Sequence, residues 1–179
     1  MDGRSTDVVL PRTGRRGSPG RGEPGQGHRP DGDTRTCITV VDDHSRAVYS
    51  EILTDEKKET AAGFWKRAEA FFARQGITVR GVMTDNGACY RSHAFAAALG
   101  DDVRHIYTRP YRPQTNGKVE RFNRTLMQEW AYAHPYLSEQ ARQATYEKFI
   151  HEYNYHRAHT AIGGLTPMQR VHNVTGKYT

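Results

Sequence analysis

An α/β domain with a mixed sheet is the fold class this sequence predicts, and three observations carry it. From Cys37 onward, short stretches rich in β-branched residues alternate with stretches of helical period. Two of the strand-like stretches come as an adjacent pair, which gives the sheet an antiparallel element. The later strand-like stretches are each separated by a helix, as parallel strands require.

The elements follow in order. Cys37–Val41 and Ala47–Leu53 flank the turn-prone Asp42-Asp43-His44-Ser45 and read as a hairpin. Ala61, Phe64, Trp65, Ala68, Phe71 and Phe72 keep helical spacing, and Gly76 stops that helix. Thr78–Thr84 reads as a strand running into Asp85-Asn86-Gly87. Ser92 caps a short alanine-rich helix that ends at Gly100, and Val103–Thr108 is a further strand. A loop with Pro110, Pro113 and Gly117 leads to a helix from about Lys118, with an apolar stripe of Val119, Phe122, Leu126 and Trp130. A second long helix is expected over Ser138–Arg157. The domain is thus placed at 34–172, with 173–179 as a tail.

Residues 1–33 are different in kind. They hold eight Gly, four Pro and six Arg, with only Met1, Val8, Val9 and Leu10 as apolar residues. Such a composition predicts a disordered segment that takes no part in the core.

Length and composition set further bounds. With 179 residues, 36% hydrophobic and 26% charged, the chain suits one soluble domain. It has no run of apolar residues long enough to span a membrane and no secretory signal, so no membrane partner and a cytoplasmic location are expected. Its two cysteines, Cys37 and Cys89, cannot build a disulfide framework. The net charge of +6 favours a polyanionic partner. Residues 104–124 hold six of the basic side chains against the single Glu120, so the excess is local.

Two carboxylates stand out. Asp85 follows a strand end, where α/β domains place their ligands. Glu120 opens a helix beside its apolar stripe. Hard oxygen donors from a strand end and a nearby helix suit Mg²⁺ or Mn²⁺, and the two carboxyls are expected to share a metal. Taken alone, an Asp-Asn-Gly is a turn and a first-turn Glu answers a helix dipole. Their flanks weigh against that plain reading.

Thr84-Asp85-Asn86-Gly87 and the run from Arg109 to Asn123, with its Pro113-Gln114-Thr115-Asn116-Gly117-Lys118-Val119-Glu120, resemble the integrase core of insertion-sequence transposases and retroviral integrases. Val41-Asp42-Asp43-His44-Ser45-Arg46 and Asn154, Arg157-Ala158-His159 and Gly163-Gly164-Leu165-Thr166-Pro167 extend the likeness over about 36–172. The resemblance implies a ribonuclease-H-like fold and a site of two Asp and one Glu holding two Mg²⁺ or Mn²⁺. One metal would activate a water or a 3′-hydroxyl and the other would stabilise the leaving oxygen. It implies DNA, as element ends and target, for the partner, with self-assembly or pairing with an intact transposase.

Asp85 and Glu120 match the second and third acids. For the first, Asp7 in Asp7-Val8-Val9-Leu10 is the candidate, with Asp42 and Asp43 as lesser alternatives in what matches the family's second-strand turn. The composition of 1–33 predicts that the usual first strand is missing and that Asp7 holds no metal. Arg109, Arg112, Lys118, Arg121 and Arg124 are the expected phosphate contacts. The chain is accordingly read as a DNA-strand cutting and joining core, as a truncated copy of one, or as a non-catalytic DNA-binding or oligomerising remnant.

Overall fold

The computed structural model describes residues 4–10, 36–108, 117–131 and 138–172. Their strands are β1 (Arg4–Val9), β2 (Thr36–Asp42), β3 (Val48–Leu53), β4 (Ile77–Thr84) and β5 (Arg104–Tyr107). They form one sheet in the order β3-β2-β1-β4-β5. β2 pairs antiparallel with β1 and β3, while β4 runs parallel to β1 and β5. The mixed sheet is as the sequence predicts.

The first strand is not as predicted. Residues 4–10 occupy the centre of the sheet, paired on both sides, where the composition of 1–33 predicts no ordered strand. Val8 and Leu10 pack into one core and Val9 into the other, the period of a strand buried on both faces. Averaging over a long Gly- and Pro-rich stretch hides these few residues. The described strand closes with the Leu10 N–H, which bonds the Met83 carbonyl at 2.7 Å. The remainder of that segment and the 173–179 tail lie outside the described residues.

Helices α1 (Lys58–Arg74) and α2 (His93–Leu99) cover one face. Phe64, Trp65 and Phe72 of α1 are fully buried there against Val8, Val40 and Val82. Each such ring contributes about 1.5–3 kcal/mol of burial. Ser92 caps α2 as predicted, its hydroxyl accepting from the Phe95 N–H at 3.1 Å. Gly100 follows with φ 70°, a conformation glycine adopts without strain.

The other face carries α3 (Gly117–Leu126) and α5 (Tyr146–Tyr155), through Val119, Phe122, Leu126, Tyr146 and Tyr153. A π-helical turn, Met127–Ala131, follows α3 and delivers Trp130 to this core. The long helix predicted over Ser138–Arg157 is two, α4 (Glu139–Ala144) and α5, broken at Thr145. The Trp130 indole N–H donates to the Thr145 hydroxyl at 2.8 Å, an anchor at that break. A last helix, α6 (Pro167–His172), adds Met168 and Val171 to the first core.

Asn154 docks α5 onto the sheet edge. Its side-chain amide donates to the Val48 carbonyl at 2.8 Å and accepts from the Val48 N–H at 2.9 Å. Strand β3 is an edge, so these backbone groups would otherwise be left open, and one buried amide satisfies both. No helix among the described residues is long and apolar enough to cross a membrane.

Candidate active site

Asp85 sits just past the C-terminal end of β4. Thr84 fixes that end, its hydroxyl bonded to His105 Nε2 at 2.8 Å and its carbonyl accepting from the Thr108 N–H at 2.8 Å. Asn86 reaches the Thr108 carbonyl at 3.0 Å, and Asp85 Oδ1 accepts from the Gly87 N–H at 2.8 Å. A side chain at Gly87 would bring a Cβ within 2.9 Å of that same oxygen, so the tight turn asks for glycine. Burial, joined by the nearby Asp85 charge, pushes the Cys89 thiol and the Tyr90 hydroxyl up. Cys89 is therefore no ready nucleophile.

Asp7 lies on β1 opposite Gly81 of β4, where the register shifts between Thr6 and Asp7. Its carboxylate passes over Gly81, in the space that a Cβ there would fill, and meets Arg104 of β5 at 3.3 Å. On its other side the Asp7 carbonyl accepts from the Asp43 N–H at 3.1 Å.

Glu120 is exposed in the first turn of α3. Lys118, one residue before the buried Val119, pins that end of the helix to Asp43, forming an ion pair with its carboxylate and donating to its carbonyl at 3.1 Å. At its far end Trp130 packs on Tyr146, whose hydroxyl lies 2.9 Å from the Cys37 thiol near the start of β2. So α3 runs antiparallel to β2, from the level of Asp43 upward. Lys118, Arg121 and Thr125 line a cavity shared with Tyr153 and Arg157 of the α5 end. Glu120 and Arg124, four apart, occupy the flank turned away from α5.

The three acids thus divide. Asp7 and the start of the Glu120 helix share the level of Asp43, whereas Asp85 lies four residues beyond Gly81, about 13 Å of extended chain. Among the described residues no group of three or more His, Cys, Asp or Glu could hold a metal ion.

Asp42, a lesser candidate from sequence, is fully buried and holds the hairpin turn together. It accepts from the Ser45 N–H at 2.8 Å and from the hydroxyls of Ser45 and Thr6. That is an Asx-type turn with β1 tied to it. Asp43 is taken up by Lys118 and by Arg46, whose guanidinium donates to the Asp43 carbonyl at 2.5 Å. Of the expected phosphate contacts, Arg109 and Arg112 lie outside the described residues.

Two family models, each for an integrase core domain, match residues 9–113 and 101–167. The first alone takes in more than half of the chain. This chain belongs to the integrase core domain family. Among its relatives, the Retrovirus-related Pol polyprotein from transposon TNT 1-94 of Nicotiana tabacum is 31% identical over 100 residues, 55% of this chain and 7% of that protein. The Putative integrase ORF3 of Spiroplasma virus SpV1-C74 is 25% identical over 142 residues, 72% of this chain and 38% of that protein. The chain therefore spans well under half the length of either.

Two solved structures share its fold. This chain superposes on one from the simian T-cell lymphotropic virus intasome in complex with PP2A regulatory subunit B56 gamma with a TM-score of 0.67 at 21% identity, over 95% of this chain and 54% of that one. The catalytic core domain of BIV integrase gives 0.64 at 19% identity, over 95% of both. The sheet flanked by helices is the ribonuclease-H-like arrangement of integrase cores. Such cores are in general divalent-metal dependent. Carboxylate oxygens have the right chemistry for Mg²⁺ or Mn²⁺, but Asp7, Asp85 and Glu120 are spread over two levels of the sheet. The described residues do not bring the three into one group that could hold a metal ion.

Proposed function

We propose that this chain is the core of a DNA transposase or integrase, acting on element ends and target DNA by phosphoryl transfer. The observation that carries the reading is the family match, which runs from residue 9 to residue 167 and takes in both the Asp85 turn and the Glu120 helix. In this reading Asp85 and Glu120 are acids of the reaction and Asp7 is the third. Each has a local support: the Gly87 amide orients Asp85, Arg104 orients Asp7, and Lys118 seats the start of the Glu120 helix. The net charge of +6 and the exposed Arg124 beside Glu120 support DNA as the partner. The likeness to a chain of an intasome supports assembly with further copies or with an intact transposase.

A second reading, a non-catalytic DNA-binding or oligomerising remnant, is favoured by the distance of Asp85 from Asp7 along the sheet. A Mn²⁺-dependent strand-transfer assay on oligonucleotides carrying candidate element ends separates the two. Joined product that disappears in Asp85→Asn and in Glu120→Gln supports the enzyme. Joining that survives both changes contradicts it, and DNA binding without joining selects the remnant.

A further inference from the structure

The α3–α5 face holds a cavity of about 400 Å³ between the β2–β3 turn, the first turns of α3 and the chain leaving α5. Its lining includes Arg46, Lys118, Arg121, Tyr153, Arg157 and His159 and, among the described residues, no acidic one. The cations are only partly answered: Arg46 and Lys118 share Asp43, and Arg157 pairs with Glu129. Arg121 has no ion pair among the described residues. The charge is concentrated enough that all three guanidinium groups act on both the Tyr153 hydroxyl and the His159 ring.

Two further features mark the cavity as more than a charged surface. His159 Nε2 is buried without a hydrogen-bond partner among the described residues, although such groups are nearly always satisfied. Arg46 is the one non-glycine described residue with a positive φ, 68°, and that backbone is held by its N–H to the Asp42 carbonyl at 3.0 Å. A residue kept in that conformation by its surroundings is a frequent mark of a functional clamp. Here it turns an arginine into the cavity.

We propose that this cavity seats a backbone phosphate of DNA, as an anchor separate from the three acids. Guanidinium forks match phosphate oxygens in pairs, and the His159 ring adds a further hydrogen bond once the bound anion draws a proton onto Nε2. The cavity and Glu120 lie on opposite flanks of α3, so one helix would hold an anchored strand on one side and the reacting strand on the other. The volume leaves room for a phosphodiester with an attached sugar. This inference rests on DNA being the partner.

The test uses the full chain and a short labelled duplex of mixed sequence, with binding followed over a range of salt. Arg121→Gln, which breaks no ion pair among the described residues, lowers the log–log salt slope, and R121Q/R157Q lowers it further, by about 0.9 in all, the slope of one phosphate contact. The His159 ring resonances shift on adding the duplex in the wild type and far less in R121Q/R157Q. An unchanged slope in a folded variant overturns the anchor while leaving DNA as the partner. A ring shift with inorganic phosphate or an acidic peptide, but not with duplex, also overturns it. No duplex binding by the wild type overturns both the anchor and the DNA reading.

Discussion

The two layers on either side of the sheet differ in what holds them. The α1–α2 layer is packed with fully buried Phe64, Trp65, Phe72 and Phe95 against Val8, Val40 and Val82. The α3–α5 layer has a smaller apolar set and many polar fastenings: Asn154 on Val48, Trp130 on Thr145, and Tyr146 on Cys37 and Ser50. It also holds Glu120 and the basic cavity. A non-directional apolar layer suits a scaffold, whereas hydrogen bonds fix the orientation of helices that must present charged groups. The difference teaches that the densest apolar packing and the polar fastenings lie on opposite faces of the sheet, joined through β1.

The largest expected effect is on the apolar side. Phe64→Ala costs about 3–5 kcal/mol of stability, seen as a lower denaturant midpoint with the slope unchanged. It weakens both layers together, since Val8 of the central strand loses its packing. A loss confined to α1 would break the comparison, because the scaffold would then not support the other face.

Asn154→Leu sharpens it from the polar side. The change leaves the Val48 N–H and carbonyl without their partner, at about 1–3 kcal/mol. Hydrogen exchange should quicken in α5 and β3 while α1 keeps its protection. Equal loss of protection across both layers would show that the two faces do not open separately.

A smaller effect is set by pH. Burial lowers the pKa of His105, whose Nε2 bonds the Thr84 hydroxyl beside Asp85, and of the cavity residue His159. Each is thus held neutral in the fold, so its contribution is complete above about 6.5, the unfolded value, and is lost as pH falls through the lower folded value. Melting temperature should fall on acidification below that point. His105→Gln should flatten the fall, and an unaltered pH profile would remove the link between His105 and the Asp85 turn.

Much of this was legible because it is local. Ser92 and Gly100 mark the ends of α2 by their own backbone chemistry, and Asp42–Ser45 mark a turn. The Asp85 and Glu120 motifs were legible through their flanks. β1 was hidden because its stability comes from β2 and β4, which lie far along the chain, and not from the Gly- and Pro-rich residues around it. Asp42 could not be told from a candidate acid until its burial and the groups donating to its carboxylate were seen. The basic cavity was legible only in part: Lys118 and Arg121 were expected to meet phosphate, but Arg46, Arg121 and Arg157 come together only when a strand turn, α3 and α5 are packed. The break at Thr145 is likewise tertiary, since nothing in the helical period of Ser138–Arg157 announces the Trp130 contact.

Hydrogen exchange with and without duplex DNA tests most directly the division between a scaffold face and a DNA-handling face. The account predicts that amides of Lys118–Thr125 and Tyr153–Thr160 gain protection on binding, while those of α1 and α2 stay as they were. Protection gained on α1 and α2, with α3 and the end of α5 unchanged, would contradict it.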